Sequence, residues 1–347
     1  VRLVGSEMCI RDRYKLLQHY VKICSKEMIV MLKERGFYKG INFGGWFSQC
    51  SYDETHFDKF ITETDFEKVA SWGLDHIRLP IDYNIVENSD GTFNEKIISK
   101  IDRIFELCQK YSLNAVLDLH KTAGFSFDDY SENEYGFFEN EHYQEHFYQL
   151  WENIAKRYGK FSDRIAFELL NEVTDPEYIT AWNKIVKKCI ARIRKFAPET
   201  LILVGSYQNN DAKAVKDLDA PFDSNVIYNM HCYEPLQFTH QGAYWTDKID
   251  PNARCSFEES GITTELFEKL FESAIKKAKE NNTELYCGEY GVIDCISPED
   301  SIKWYKTINS VFEKYGIGRC AWTYKNMDFG ISDSRLDNIR HELLNYF

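Results

Sequence analysis

Glu172 and Glu289 each close a short apolar run of strand character, Ile165 to Asn171 and Glu284 to Gly288. A carboxylate at the mouth of a core is costly unless it is paired or used. Two glutamates facing each other can divide acid and base work. One protonates a leaving oxygen while the other attacks an anomeric carbon or activates water, which is the chemistry of glycoside hydrolysis. The dipeptide Asn-Glu also occurs at Asn94-Glu95, Asn133-Glu134 and Asn140-Glu141, but in polar, acidic surroundings. Only Glu172 follows a buried-type strand. Its competing role is a helix cap, because Thr174-Asp175-Pro176 begins a turn and a helix.

Other polar residues collect at comparable positions. Arg78 lies at the end of the run His76 to Pro80, His120 ends Asn114 to His120, and Asn171 precedes Glu172. His231 ends Val226 to His231, Tyr233 follows it, and Trp322 closes Gly318 to Trp322. Each has a plainer alternative: an ion-pair partner for Arg78, satisfied core histidines for His120 and His231, packing for Tyr233, a cap for Trp322. Their recurrence at strand ends sets the group apart.

The elements that must position them are eight apolar runs alternating with helical patterns. The first run is Ile41 to Phe43 and the fifth is Leu201 to Gly205. Helical spacing covers Thr64 to Ser71, Ile97 to Lys110, His142 to Tyr158, Glu177 to Phe196, Thr264 to Lys279, Pro298 to Tyr315 and Arg335 to Phe347. Strands separated by helices imply a parallel sheet with crossovers. Eight such units imply an α/β fold, a single (β/α)8 TIM barrel, whose strand C-terminal ends share one face. A doubly wound open sheet would call for a Gly-rich loop after the first strand, and Gly44-Gly45 does not supply G-x-G-x-x-G. Two long irregular segments, 121–139 and 232–263, are rich in aromatics, among them Phe125, Phe127, Tyr130, Tyr233, Phe238, Tyr244 and Trp245.

Composition narrows the function. The chain has 347 residues, 44% hydrophobic and 28% charged, with a formal charge of −13. That acidity argues against a nucleic-acid partner. No apolar run is long enough to span a membrane. Aromatics reach 15%, a generous share, so some are expected to line a groove, although packing is the plainer role for any one of them. The ten cysteines form no CxxC pair, and Cys108, Cys189, Cys232, Cys287 and Cys320 read as small core residues of a reduced protein. No metal or other cofactor is expected. Asp118, His120 and His231 fall short of a ligand set without an H-x-H after the first strand, and Val204-Gly205-Ser206 is only a fragment of a G-x-S-x-G elbow.

With these residues in place the chain resembles glycoside hydrolase family 5 of clan A, and within it clostridial-type endo-β-1,4-glucanases. The resemblance runs from about Gly36 to Phe347. It rests on Gly40-Ile41-Asn42-Phe43-Gly44-Gly45-Trp46, Arg78-Leu79-Pro80, Leu117-Asp118-Leu119-His120, Glu168-Leu169-Leu170-Asn171-Glu172, His231-Cys232-Tyr233, Gly288-Glu289-Tyr290-Gly291 and Trp322-Thr323-Tyr324-Lys325. It implies a retaining double displacement with Glu172 as acid/base and Glu289 as nucleophile. Asn171 would hold the sugar 2-hydroxyl, Arg78 would keep Glu289 ionised, and Tyr233 would hydrogen-bond Glu289. His120 and His231 would line the reacting subsite over a Trp322 floor. An ionised Glu289 would disfavour ionisation of Glu172. Trp46, Phe125, Trp245 and Lys325 complete the expected substrate-binding set. The sequence departs from the family at Lys121, where a second histidine is common, and in the segment from Tyr233 to Thr263, which is expected to shape one side of the cleft. Trp322-Thr323-Tyr324-Lys325 is also similar to exo-acting β-1,3-glucanases of the family, so linkage and endo or exo action stay open, as does a non-catalytic carbohydrate-binding barrel.

Residues 1–30 match neither a signal peptide nor a clear period and are taken as an extension outside the fold, leaving 31–347 as the catalytic domain. The partner expected is a β-glucan or its oligosaccharides, with neither nucleic acid nor membrane, and the protein is expected to be a monomer. A visible start without an export signal implies a cytoplasmic enzyme; a lost N-terminus would make it a secreted one.

Overall fold

The computed structural model describes residues 31–128 and 134–347, so the expected extension 1–30 and Tyr130 lie outside the described residues. Eight parallel strands close in sequential order. They are β1 (Lys39–Asn42), β2 (His76–Asp82), β3 (Asn114–Lys121), β4 (Ile165–Glu168), β5 (Ile202–Val204), β6 (Val226–Cys232), β7 (Leu285–Tyr290) and β8 (Gly318–Ala321). The ring shuts where Ile41 of β1 stands opposite Ala321 of β8. Crossover helices lie between them: α1 (Glu63–Ser71), α2 (Glu95–Lys110), α3 (Glu141–Tyr158), α4 (Ile179–Ile193), α5 (Thr264–Asn281) and α6 (Pro298–Tyr315). The TIM barrel expected from the alternating pattern is the fold observed.

The helices form where one face can be buried. In α2, Ile97, Ile101, Ile104 and Cys108 are buried against the sheet at helical spacing, and Phe105 packs at its margin. Helix starts are chemically marked. The backbone N–H of Thr62 donates to Asp65 at 2.7 Å, so α1 is capped at Thr62, ahead of the start expected at Thr64. Asp175 accepts from the Glu177 N–H at 2.9 Å and caps the short 3-10 turn Pro176–Tyr178 that leads into α4. The cap after the fourth strand is therefore Asp175, which leaves Glu172 free of that role.

Between β5 and β6, where no helical spacing is read, no long helix returns the chain; a 3-10 turn, Ala212–Asp217, does so instead. One expectation fails for a local reason. The helix expected over Arg335–Phe347 is broken into Ser334–Leu336, Arg340–Leu343 and Leu344–Tyr346. There the Arg340 guanidinium donates to the carbonyls of Ile331 and Asp333, tying the segment to the preceding loop. The five cysteines read as core residues are buried thiols. Among the described residues, no helix is long and apolar enough to cross a membrane.

Alternation along the strands divides the barrel interior into levels. Successive side chains point to opposite faces, so residues two apart share one. Val116, Ala166, Leu203, Ile227, Tyr286 and Cys320 gather with Leu32 and Phe37 into an apolar cluster separate from the main core. Two residues further along the same strands stand Asp118, Glu168, Gly205, Asn229, Gly288 and Trp322. The apolar level plugs the N-terminal half of the barrel, and the polar level above it opens towards the strand C-terminal ends.

Gly40 belongs to the tight lower half. A Cβ there would meet the His76 ring at 2.3 Å, and that ring is fixed between Asp75 and the Tyr286 hydroxyl. Gly40→Ala is expected to destabilise the fold by about 1–3 kcal/mol through overpacking, read as a lower urea midpoint with an unchanged slope.

Candidate active site

Arg78, fully buried on β2, organises the polar level. Its Nε and Nη2 donate to the two oxygens of Glu168 at 2.7 and 2.8 Å, a bidentate fork across the barrel. Nη1 donates to Asn42 Oδ1 at 2.9 Å and to Glu289 Oε1 at 2.7 Å. Nη2 also donates to Asn171 Oδ1 at 2.9 Å and stands 3.0 Å from Asp118 Oδ2. Burial acts against the charge, but Asp118, Glu168 and Glu289 together hold the Arg78 pKa well above its ordinary value. Glu168 is itself pushed up by burial, partly offset by Arg78, and its Oε1 takes a further bond from Asn229 at 2.8 Å.

Asp118 passes this charge to His120, whose Nδ1 lies 2.6 Å from Asp118 Oδ2. Burial alone would lower the His120 pKa; the adjacent Asp118 carboxylate more than reverses it, and the net shift is upward. The imidazole lies parallel to Trp322, 6.0 Å between centroids and 4° between planes, with Phe127 edge-on at 4.9 Å. Trp322 is held from below by Gly44, where a Cβ would come within 2.6 Å of the indole. A His120–Trp322 wall is thus set at the mouth of the barrel.

Glu289, near the end of β7, is gripped from two sides, by Arg78 on Oε1 and by the Tyr233 hydroxyl on Oε2 at 2.9 Å. Burial, then the charge of Glu289, raises the Tyr233 pKa far above the usual phenol value, so the phenol remains a donor. Glu172 lies just past β4, where the chain keeps its ladder bonds: Leu169 N–H donates to Leu203 O, and Asn171 N–H to Leu119 O. The Trp151 indole N–H on the Leu169 carbonyl, at 3.1 Å, fixes the strand from outside. The backbone then turns at Glu172 with φ of 34°, an uncommon value for a residue other than glycine.

The Glu172 carboxyl meets donors on both oxygens. His231 Nδ1 is 2.7 Å from Oε1, and Asn209 Nδ2 donates to Oε2 at 2.9 Å. Burial is the largest influence and pushes the Glu172 pKa up to about 7, against the lowering effects of Asn209, His120 and Arg78. Desolvation, and not the expected charge of Glu289, is therefore the main cause. His231 is driven down to about 4 by burial and is neutral at working pH. A neutral ring with Nδ1–H towards Glu172 accepts at Nε2, where Asn210 Nδ2 stands at 3.3 Å. One carboxylate oxygen from each glutamate and a nitrogen of His231 lie within 4.8 Å of one another. These atom types could ligate a metal, but each is already engaged, and the buried Arg78 guanidinium 2.7 Å from Glu289 opposes a further cation.

The structure thus brings Arg78, Asn171, Glu172, His231, Tyr233, Glu289, His120 and Trp322 to one face. Three expected binding residues are placed otherwise. Trp46 is buried among Phe43, Phe47 and Phe66, with its indole N–H on the Phe57 carbonyl at 2.9 Å, a packing position. Phe125 is buried edge-on to Phe138. Lys325 spends its ammonium on the Phe60 carbonyl at 2.9 Å, over the Phe60 ring. Trp245 keeps an exposed ring beside Tyr244, His240 and Phe329. Sequence reasoning missed Asn42, Glu168, Asn209, Asn210 and Asn229. Three of these, Asn42, Glu168 and Asn229, carry a legible signal, a polar residue inside a strand; Asn209 and Asn210, in the loop after β5, carry none.

Comparison with known proteins gives the family. The family model described as Cellulase (glycosyl hydrolase family 5) matches residues 39–328. The chain belongs to that family. It is 58% identical over 296 residues to Cellodextrinase A of Ruminococcus flavefaciens, covering 85% of this chain and 88% of the relative. It is 37% identical to Endoglucanase C of Acetivibrio thermocellus, covering 89% and 97%. Among solved structures, the clostridial cellulose synthase subunit Z of Clostridioides difficile superposes with a TM-score of 0.76 at 25% identity, covering 89% of this chain and 99% of that one. A hyperthermophilic endo-β-1,4-glucanase in complex with substrate gives 0.74 at 23% identity, covering 87% and 94%, and shares the fold. This family 5 enzyme is a glycosyl hydrolase, and retention is general in the family.

Arg78 is the residue whose loss leaves the most charge stranded. Arg78→Met, similar in length but uncharged, is expected to cost about 3–5 kcal/mol of stability. The loss should be larger at pH 8 than at pH 5, because carboxyls without a counter-charge take up protons at the lower pH. Urea denaturation at the two pH values measures it.

Proposed function

We propose that the chain is a retaining β-1,4-glucan hydrolase, with residues 31–347 as the catalytic unit, Glu172 as acid/base and Glu289 as nucleophile. The observation that carries the reading is the contrast between two glutamates within 4.8 Å. One is held by a guanidinium and a phenol, the other buried with a pKa of about 7. Such a separation suits direct attack; the inverting arrangement keeps its carboxyls roughly 6.5–9.5 Å apart to admit a water between them.

In the first step a Glu289 oxygen bonds to the anomeric carbon as the glycosidic bond breaks, and the proton of Glu172 goes to the departing oxygen. In the second, Glu172, now a carboxylate, takes a proton from water, whose oxygen displaces Glu289. Asn171 Nδ2 has no protein partner among the described residues, while its Oδ1 is fixed by Arg78, which suits donation to the sugar 2-hydroxyl. The His120–Trp322 wall offers an apolar ring face to the sugar C–H face. The name of the 58% identical relative favours cello-oligosaccharides as substrates, and that of the glucanase neighbour favours the β-1,4 linkage.

Glu289→Gln is expected to lower turnover of cellotetraose by at least roughly 10⁴-fold while the far-ultraviolet circular dichroism is unchanged. Glu172→Ala should be rescued by azide on an aryl cellobioside with a good leaving group, giving a β-configured azide. An α-configured azide would reverse the two assignments. The protonated acid is required, so kcat/KM on unactivated cellodextrins should fall as pH rises through about 7. A profile flat from pH 6 to 9 would count against Glu172 as the acid.

A further inference from the structure

The loop after β5 is bound to the catalytic carboxyl in a way the mechanism above does not use. Gln208, Asn209 and Asn210 all have left-handed backbones, with φ of 53°, 58° and 58°. Asparagine tolerates that conformation better than most residues, and three in succession are held only where the surroundings demand it. The demand comes from the acid/base segment. Gln208 N–H donates to Thr174 O and Asn209 N–H to Val173 O, both at 3.0 Å, so the loop clamps the two residues that follow Glu172. From this clamp Asn209 reaches Glu172 Oε2, and the buried Asn210 reaches His231 Nε2. Gly205 makes room, since a Cβ there would lie 2.1 Å from Asn210 Oδ1. Asp211, the next residue, bridges to His231 on β6 and fixes the far end.

We propose that this left-handed clip is a positioning device that sets the proton affinity of the acid/base: Asn209 by donating to the Glu172 carboxylate, Asn210 by holding His231 in the tautomer that donates to it. The proposal rests on the reading of Glu172 as the acid/base. A fixed amide donor favours the ionised carboxyl, the form needed to accept a proton from water in the second step. Without it, burial would hold the proton more tightly, and the enzyme would be a better acid reservoir but a poorer base. The other charged groups around the carboxyl, Arg78, His120, Asp118 and Glu289, come from β2, β3 and β7, and none belongs to the clip.

The test uses two variants that keep the left-handed backbone accessible. Asn209→Gly removes the amide, and Asn209→Asp replaces it by an anion of the same shape. The alkaline limb of kcat/KM on cellotetraose should move up by roughly one pH unit in Asn209→Gly, and further in Asn209→Asp. With an aryl cellobioside whose second step limits turnover, kcat at pH 6 should fall in both variants, and azide should restore it. A limb that stays in place or moves down in both variants overturns the proposal. Glu172→Ala, measured in parallel, separates the two ideas: if it retains cellotetraose turnover the acid/base reading fails, whereas if it loses turnover while the limb of Asn209→Gly stays still, only the clip fails.

Discussion

A guanidinium with no exposure to water must be matched on every side, and Arg78 is matched by β1, β3, β4 and β7 together with Asn171. Removing such a charge from water costs several kcal/mol, which is recovered only when geometry is near ideal and the remaining donors are satisfied. The planar fork of arginine meets that condition with Glu168 through Nε and Nη2, while Nη1 reaches both Asn42 and Glu289. Much else follows. Glu168 has no substrate-facing role in this arrangement; it is the anchor that lets Arg78 point at Glu289. Asp118 divides its charge between Arg78 and His120, which ties the orientation of the His120–Trp322 wall to the same cation.

Against this background the two glutamates differ through solvation and partners, not through residue type. Glu289 lies against a permanent positive charge and a phenol donor. Glu172 has neutral donors only, a histidine kept uncharged by burial and an asparagine amide. A neutral donor eases ionisation less than a cation does, so desolvation dominates at Glu172. The arrangement sets a carboxyl whose pKa is raised to about 7 a few ångströms from one paired with a cation.

How much of this was legible follows from the physics of each position. Apolar runs bounded by turn residues gave all eight strands, because a strand inside a parallel barrel is buried on both faces and cannot hide its composition. Polar residues at strand ends gave Arg78, His120, Asn171, Glu172, His231, Tyr233, Glu289 and Trp322. Orientation was the harder matter. Trp46 and Phe125 are aromatic in the right loops, yet both are buried, and nothing in one sequence states which way a loop ring turns. Glu168, Asp118 and Asn229 lie within strand runs, and period-two counting along β4, β3 and β6 places them inside the barrel. Asn209 was beyond reach, since its role depends on a left-handed backbone that Gln-Asn-Asn does not announce. The C-terminal segment misled because its helical spacing is overridden by Arg340 bonding to loop carbonyls.

The closure of the ring between β1 and β8 has a further consequence, for the order in which the molecule becomes an enzyme. The Arg78–Glu289 contact joins residues 211 apart in the chain, and the β1–β8 seam joins segments more distant still. Contacts of that span are the most expensive in loop-closure entropy and cannot form until the intervening units have collapsed. A nascent chain, or one refolding from urea, can therefore hold most of its helices and adjacent strand pairs while Glu289 still lacks its counter-charge. Hydrolysis would appear only with the last long-range contacts, later than the recovery of secondary structure, so enzymatic activity itself reports the completion of folding.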